Sequence, residues 1–378
     1  MVLLAAAGLF LRGLQRFINS DPGWRVDGML TAQMSLRGDK YKDDKQRVVF
    51  LTELENRLRA MPGVQHAAIG GSHLVFGFNS SSSFLVEGRP EPPPDKYPEM
   101  FFEPVSGDYF ETIGARLQQG RTFNNADTAD HPNVVVINET TARSFWPNES
   151  PIGKRISGTG PKRDYYEIVG VVNDLAFPGN LGEPYTRYEA FVPVRQASPG
   201  FLILLLRTPS NAEALGNSLR NTIAGLDPDL PVYRIRTVQA AVNQGLGSIS
   251  LLGSLLGAFA AIGVILAAIG IYGVVSYTVV QRTGELGIRM ALGAQSRDVL
   301  WLVLGKGAVL VVSGALLGAL GGYGVSRLLI SVIPSLPTRD PLILPITGVA
   351  LVLVALAACY IPARRATRVD PLVALRSE

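Results

Sequence analysis

The sequence predicts a membrane protein: an α-helical transmembrane bundle with three clear spans and one short N-terminal span, carrying a large extracytoplasmic α+β domain. Three observations lead there. Only 17% of the 378 residues are charged, against roughly 25% in average soluble domains, and the mean hydropathy is +0.22. The shortage is local: residues 18–249 are mixed and polar, whereas the chain after Ser248 is dominated by three long apolar runs. Within the polar block, two strand–helix–strand patterns enclose a long stretch rich in β-branched residues.

The N-terminal segment, MVLLAAAGLFLRGLQRF (1–17), has a short apolar run before Arg12. No basic residue precedes that run and no small-x-small cleavage site follows it, so a signal peptide fits poorly. It reads as a first transmembrane helix, short or truncated.

The polar block, 18–249, reads as one folded extracytoplasmic domain. VDGMLTAQMSL (26–36) has strand character, and in DKQRVVFLTELENRLRAM (44–61) Val48, Leu51, Leu54 and Leu58 fall on one helical face. GVQHAAIGG (63–71) fits a returning strand. The same order recurs in FLILLLRT (201–208), a helix over 211–225 with Leu215, Leu219 and Ile223, and VYRIRT (232–237). These β-α-β halves, about 25–75 and 200–240, frame an insertion of about 75–195. VVVIN (134–138) and YEIVGVV (166–172) make the insertion strand-rich, and the proline-heavy 87–100 reads as a loop.

The apolar block is 250–378. Residues 250–280 and 307–326 contain no charge, and 341–362 form a third such run; about 20 apolar residues cross the hydrocarbon as a helix. The expected spans are 250–280, 300–331 and 341–362. Arg282, Arg289 and Arg297 mark the 281–298 loop, and Arg364, Arg365, Arg368 and Arg376 mark the 363–378 tail. By the positive-inside rule both are cytoplasmic and the polar block lies outside, in the cytoplasmic (inner) membrane of the cell. Arg12 and Arg16 run against the rule but are outnumbered.

Chemistry is sparse. His66, His73 and His131 have no ligand spacing, so no metal site is expected. Cys359, the only cysteine, lies in the last run as a small packing residue. PIGKRIS (151–157) and LGKGA (304–308) lack the rest of a phosphate-binding loop. NSSSSF (79–84) has no nucleophile context, and N-x-[ST] matches occur at Asn79, Asn138 and Asn148. No cofactor and no catalytic constellation are expected, so the chain does not read as an enzyme. The pI of about 9.2 reflects positive-inside arginines rather than a nucleic-acid partner. The spans hold no ionisable pathway. They do hold small residues at four-residue spacing, Gly253, Gly257 and Ala261 in one and Gly314, Gly318 and Gly322 in another, which suit close helix packing.

The segment RTGELGIRMALGA (282–294) sets charge between two spans. As a helix it brings Arg282, Glu285 and Arg289 onto one stripe, with Glu285 four residues ahead of Arg289. Leu286, Ile288, Met290 and Leu292 make most of the rest apolar. Such a helix can lie in the cytoplasmic interface, press into a groove on a partner, or serve as a plain amphipathic connector.

RTGELGIRMALGAQSRDVL (282–300) resembles the cytoplasmic segment of the MacB/FtsX-type ABC permeases, with the pattern R-x-x-E-[IL]-G-[IL]-R-[KRM]-A-[LV]-G-A. PARRATRVDPLVALRSE (362–378) is similar to that superfamily's ending. DYFETIGARLQQGRTF (108–123), VVVINETTARSFWPNESPIGKRI (134–156) and YEIVGVVNDL (166–175) resemble the MacB-like periplasmic core domain. The start (3–36) looks like one module of the acidobacterial-type duplicated orphan permeases. The resemblance implies a four-span permease and mechanotransmission, in which a separate ABC ATPase subunit drives movement of the outer domain for efflux or export. It carries ATPase coupling onto Glu285, Gly287, Arg289 and Gly293, and a tail motif onto Arg364, Arg365, Asp370 and Pro371. Implied partners are that ATPase, a second copy or second permease module, a periplasmic adaptor and membrane lipid. Two other readings are a regulatory permease acting on an outer partner such as a cell-wall hydrolase, and an ATPase-independent orphan binding protein.

Overall fold

The computed structural model describes residues 7–8, 21–70, 81–159, 163–175, 187–282, 295, 301, 305, 312–314, 316–324 and 343–366. The chain divides into two compact units, Ser20–Ser248 and a second made of Met1–Asn19 with Ile249–Glu378.

The Ser20–Ser248 unit is built on a four-stranded antiparallel sheet. Its strands are β1 (Met29–Ser35), β2 (His66–Ile69), β10 (Phe201–Arg207) and β11 (Val232–Thr237), in the order β11-β1-β10-β2. The two strand–helix–strand halves therefore interleave, each strand of one lying beside a strand of the other. Helices α1 (Asp44–Arg59) and α5 (Leu215–Ala224) cover one face. The Asp43 side chain caps α1 by accepting from the Lys45 amide. Leu51, Leu54 and Leu58 are fully buried, as are Leu219 and Ile223 of α5, while Val49 is 71% exposed. The apolar stripes read from sequence are thus the faces that pack under the sheet, except that Val48 is only half-buried.

Between β2 and β10 lies the insertion. Its strands are β3 (Ser81–Val86), β4 (Glu99–Val105), β5 (Leu117–Gly120), β6 (Val134–Asn138), β7 (Arg155–Gly158), β8 (Tyr165–Val172) and β9 (Tyr188–Pro193). Short helices α2 (Tyr109–Ile113), α3 (Glu139–Phe145) and α4 (Val194–Ala197) connect them. The order is β5-β8-β6-β9-β4-β3-β7, and β7 also pairs with β8, which closes a six-stranded ring. Beyond β7, the same edge of β8 is taken by β5.

Three cores result. One, with Leu51, Leu54 and Leu219, lies between the helices and the open sheet. A second, with Phe84, Met100, Ile137 and Ile156, is enclosed with the ring strands. The third joins ring to sheet: Tyr109, Phe110, Phe123 and Phe191 meet Met29, Ala68, Ile203 and Leu205. Phe191 stacks edge-on against Phe110 at 5.1 Å, a favoured aromatic geometry.

In the other unit, Ser250–Gln281 is a 32-residue apolar stretch with a mean hydropathy of 2.4. It belongs to α6 (Val238–Gln281). Only 11% of its most apolar window is buried, as suits a helix solvated by lipid. Helix α7 (Ile343–Ala366) contains a shorter apolar part, Ile346–Pro362. Residues 7–8, 301, 305, 312–314 and 316–324 are also helical. Among the described residues, one helix is long and apolar enough to cross a membrane; most of the expected first and 300–331 spans lie outside them.

Candidate functional site

Of the predicted coupling residues, Glu285, Gly287, Arg289 and Gly293 lie outside the described residues, as do Asp370 and Pro371 of the tail. Helix α6 reaches Gln281, and the Arg282 amide bonds back to the Val279 carbonyl at 3.2 Å. Arg364 and Arg365 fall in the last turn of α7, with Arg364 exposed. Of the packing glycines, Gly253 and Gly322 are buried, Gly257 and Gly318 half-buried and Gly314 exposed. A Cβ at Gly257 or Gly314 would meet nothing within 4 Å.

The outer unit holds a cavity of about 280 Å³ where α1 faces the insertion. Glu55 and Arg59 come from α1, Ser106 and Asp108 from the turn after β4, and Arg195 from α4. Glu55 is 4% exposed. Its Oε2 accepts from Arg195 Nη2 at 2.8 Å and lies 3.7 Å from Arg59 Nη2. Arg59 Nε donates to Asp108 Oδ2 at 2.5 Å. Burial pushes the Glu55 carboxyl up from its usual range, opposed by the two guanidiniums. On the cavity's far margin Asp127 accepts two bonds from Arg121, at 2.8 and 2.9 Å, and one from the Asn124 amide. The charges lining this space are thus largely spent on one another. The volume falls just below the roughly 300–1,000 Å³ of ligand pockets.

A second polar knot lies against the ring wall. Arg187 Nε donates to Glu189 Oε1 at 2.6 Å, and its guanidinium sits 4.8 Å over the Phe101 ring. Tyr109 is fully buried; burial first, then Glu103 and Glu189, raise its hydroxyl well above the usual tyrosine range. Asn138 is also buried here, capping α3 through the Thr141 amide, so that N-x-[ST] match is internal.

Reasoning from sequence missed Glu55, Arg59, Asp108 and Arg195. One signal was present: Glu55 occupies a position on the apolar stripe of α1, beside Leu51 and Leu58. A charge there needs a partner. The histidines do not converge: His66 lies 3.8 Å from Glu111, His131 bonds Thr128, and His73 is outside the described residues. Among the described residues no group of three or more His, Cys, Asp or Glu could hold a metal ion.

Two family profiles match this chain, the MacB-like periplasmic core domain over residues 1–222 and the FtsX-like permease C-terminal over residues 257–371. The macrolide export ATP-binding/permease protein MacB of Bartonella henselae is 30% identical over 281 residues, covering 72% of this chain and 42% of its own length. That of Nitrosomonas europaea is 29% identical over 276 residues, covering 70% and 40%. The pyoverdine export ATP-binding/permease protein PvdT of Pseudomonas syringae is 27% identical over 268 residues, covering 69% and 40%. The chain therefore spans about two fifths of the length of these relatives. The periplasmic region of MacB from Actinobacillus actinomycetemcomitans is 16% identical, covering 61% of this chain and 97% of that one. Its TM-score of 0.39 is too low to bear on the fold.

Proposed function

Because the chain belongs to the MacB/FtsX-type permeases, joining a MacB-like periplasmic core domain to an FtsX-like permease domain, we propose that it couples ATP hydrolysis by a separate ATPase subunit to movement of its outer domain, in efflux or export. The observation that carries this is the match of both halves, in order, along the one chain. Relatives named as ATP-binding/permease proteins support an ATPase partner, and no phosphate-binding loop occurs in these 378 residues. Residues 282–294 would form the contact, with Glu285 and Arg289 as its charged groups. The outer cavity favours movement of the domain over carriage of a charged substrate in that space, because its charges are paired internally. The bundle would hold three spans plus a short first one, with pairing as a homodimer or with a second module.

The test is gentle purification from the native host, with a Glu285→Lys, Arg289→Glu double variant beside the parent. An ATP-binding subunit that accompanies the parent and is lost from the variant is the expected result. An ATPase absent from both samples would sink the coupling reading.

A further inference from the structure

The geometry points to a strap: residues 23–28, where the chain runs into the outer unit, are fastened to the strand ring by Asn173 and to the open sheet by Arg207. Movement arriving at Ser20 is thereby delivered to both halves together. This rests on the coupling reading above, and it adds the residues through which the outer domain would be gripped.

Asn173 follows β8 and is 5% exposed. Its Nδ2 donates to the Gly23 carbonyl at 2.8 Å and the Asp174 carbonyl at 2.9 Å, and its Oδ1 accepts the Arg116 amide at 2.6 Å. Gly23 has φ +78°, and a Cβ there would run into the Asp174 carbonyl and the Asn173 amide, so the contact requires glycine. The Arg25 amide bonds the Ile113 carbonyl at 2.7 Å. From the sheet side, Arg207 of β10 donates to three carbonyls: Thr112 at 2.5 Å, Asp27 at 2.9 Å and Arg25 at 3.1 Å. Burial holds its guanidinium below the usual arginine range. Trp24, between the two clips, is 5% exposed within the core that joins ring to sheet. Val238, the first residue of α6, sits in that same core, whereas among the described residues neither other core contains one from 21–28 or from α6. Three strap carbonyls, those of Gly23, Arg25 and Asp27, held by two side chains from elsewhere in the fold go beyond what an exposed connector needs.

Asn173→Asp is the discriminating change, because it keeps an acceptor for the Arg116 amide and removes the donor to Gly23. In the full chain in lipid nanodiscs, with Cys359→Ser, spin labels would be placed at Asp27→Cys and Gln118→Cys, both exposed. The parent should give one narrow distance and Asn173→Asp a broadened one. Hydrogen exchange over 21–28 should quicken about five- to tenfold, the scale of one lost hydrogen bond, with β1 and β10 unchanged. Gly23→Ala, which displaces the same contact from the strap side, should quicken exchange over 21–28 by more than over β1 and β10, where only the general loss of stability acts. A parent distance that is already broad, or exchange over 21–28 that Asn173→Asp does not alter, overturns the strap. So does exchange that quickens throughout the unit in both variants, which would make Asn173 a general stabiliser. If the labels behave as expected and no ATPase accompanies the protein, the strap stands and the coupling reading alone fails.

Discussion

Asp227→Asn should make the outer unit less stable at neutral pH and flatten its acid sensitivity. Asp227 follows α5 and its side chain is 6% exposed. It accepts from Lys40 Nζ and from the Tyr41 hydroxyl, each at 2.6 Å, and from the Asp229 amide at 3.1 Å. It thus ties the turn before α1 to the end of α5. The Lys40 bond first, then Tyr41, lower its carboxyl from 3.8 to about 2. At about 1.4 kcal/mol for each pH unit, that is roughly 2.5 kcal/mol. Lys40 is 66% exposed, so screening brings the expectation to about 1–2 kcal/mol. Because the folded carboxyl is the stronger acid, this stabilisation is present above pH 3.8 and is lost as pH falls through about 2. Tryptophan fluorescence in urea reads it, since Trp24 and Trp146 lie in this unit. The gap between parent and variant should narrow to roughly half by pH 3. A gap equal at pH 7 and pH 3, or absent at both, would refute the reasoning.

Other outcomes follow from the same geometry. Arg195→Ala takes away the hydrogen-bonded guanidinium of Glu55, 4% exposed, and leaves it only the looser contact with Arg59 at 3.7 Å, so it should cost about 3 kcal/mol, the low end for breaking a buried pair. Arg59→Ala, which keeps the Arg195 bond to Glu55 and whose hydrogen-bonded partner Asp108 is over a third exposed, should cost about 1 kcal/mol or less. Equal losses in urea denaturation would show that burial does not set these energies. Phe191→Ala opens the core between ring and sheet and should cost about 3–5 kcal/mol, whereas Val49→Ala, at a site 71% exposed, should stay within about 0.5 kcal/mol. Gly23→Ala should lose at least about 1–2 kcal/mol from its left-handed backbone alone, and unchanged thermal stability would argue against that conformation.

What could be read from sequence was local. The stripes Leu51–Leu54–Leu58 and Leu215–Leu219–Ile223 are visible because helical period and burial coincide. The run 134–138 shows itself as a strand because all five residues are buried. Closure of the ring left no trace, because the β7–β8 and β4–β9 pairings depend on which segments meet rather than on any segment's own pattern. The Asn173–Gly23 contact spans 150 positions, and its one local mark, an Asp-Pro-Gly turn at 21–23, reads as an ordinary loop. The cavity charges were half legible. Glu55 breaks an apolar stripe, but Arg195, its counter-ion, sits 140 positions away on a four-residue helix. The coupling segment is the reverse case, conspicuous in sequence through motif and charge.

The insertion leaves the open sheet after β2 and returns at β10, and these two strands are hydrogen-bonded neighbours. Beyond the last paired residue of β2, the Gly70 amide still bonds the Ile203 carbonyl. Its two feet therefore stand one strand spacing apart, about 4.8 Å, a gap that a tight hairpin turn would span. The register of the host sheet is set among its own four strands, although one of its faces packs on the ring. Such an arrangement is a socket: the length and strand content of the inserted piece place no demand on the register of the strands that hold it, and only the residues of the shared core have to match.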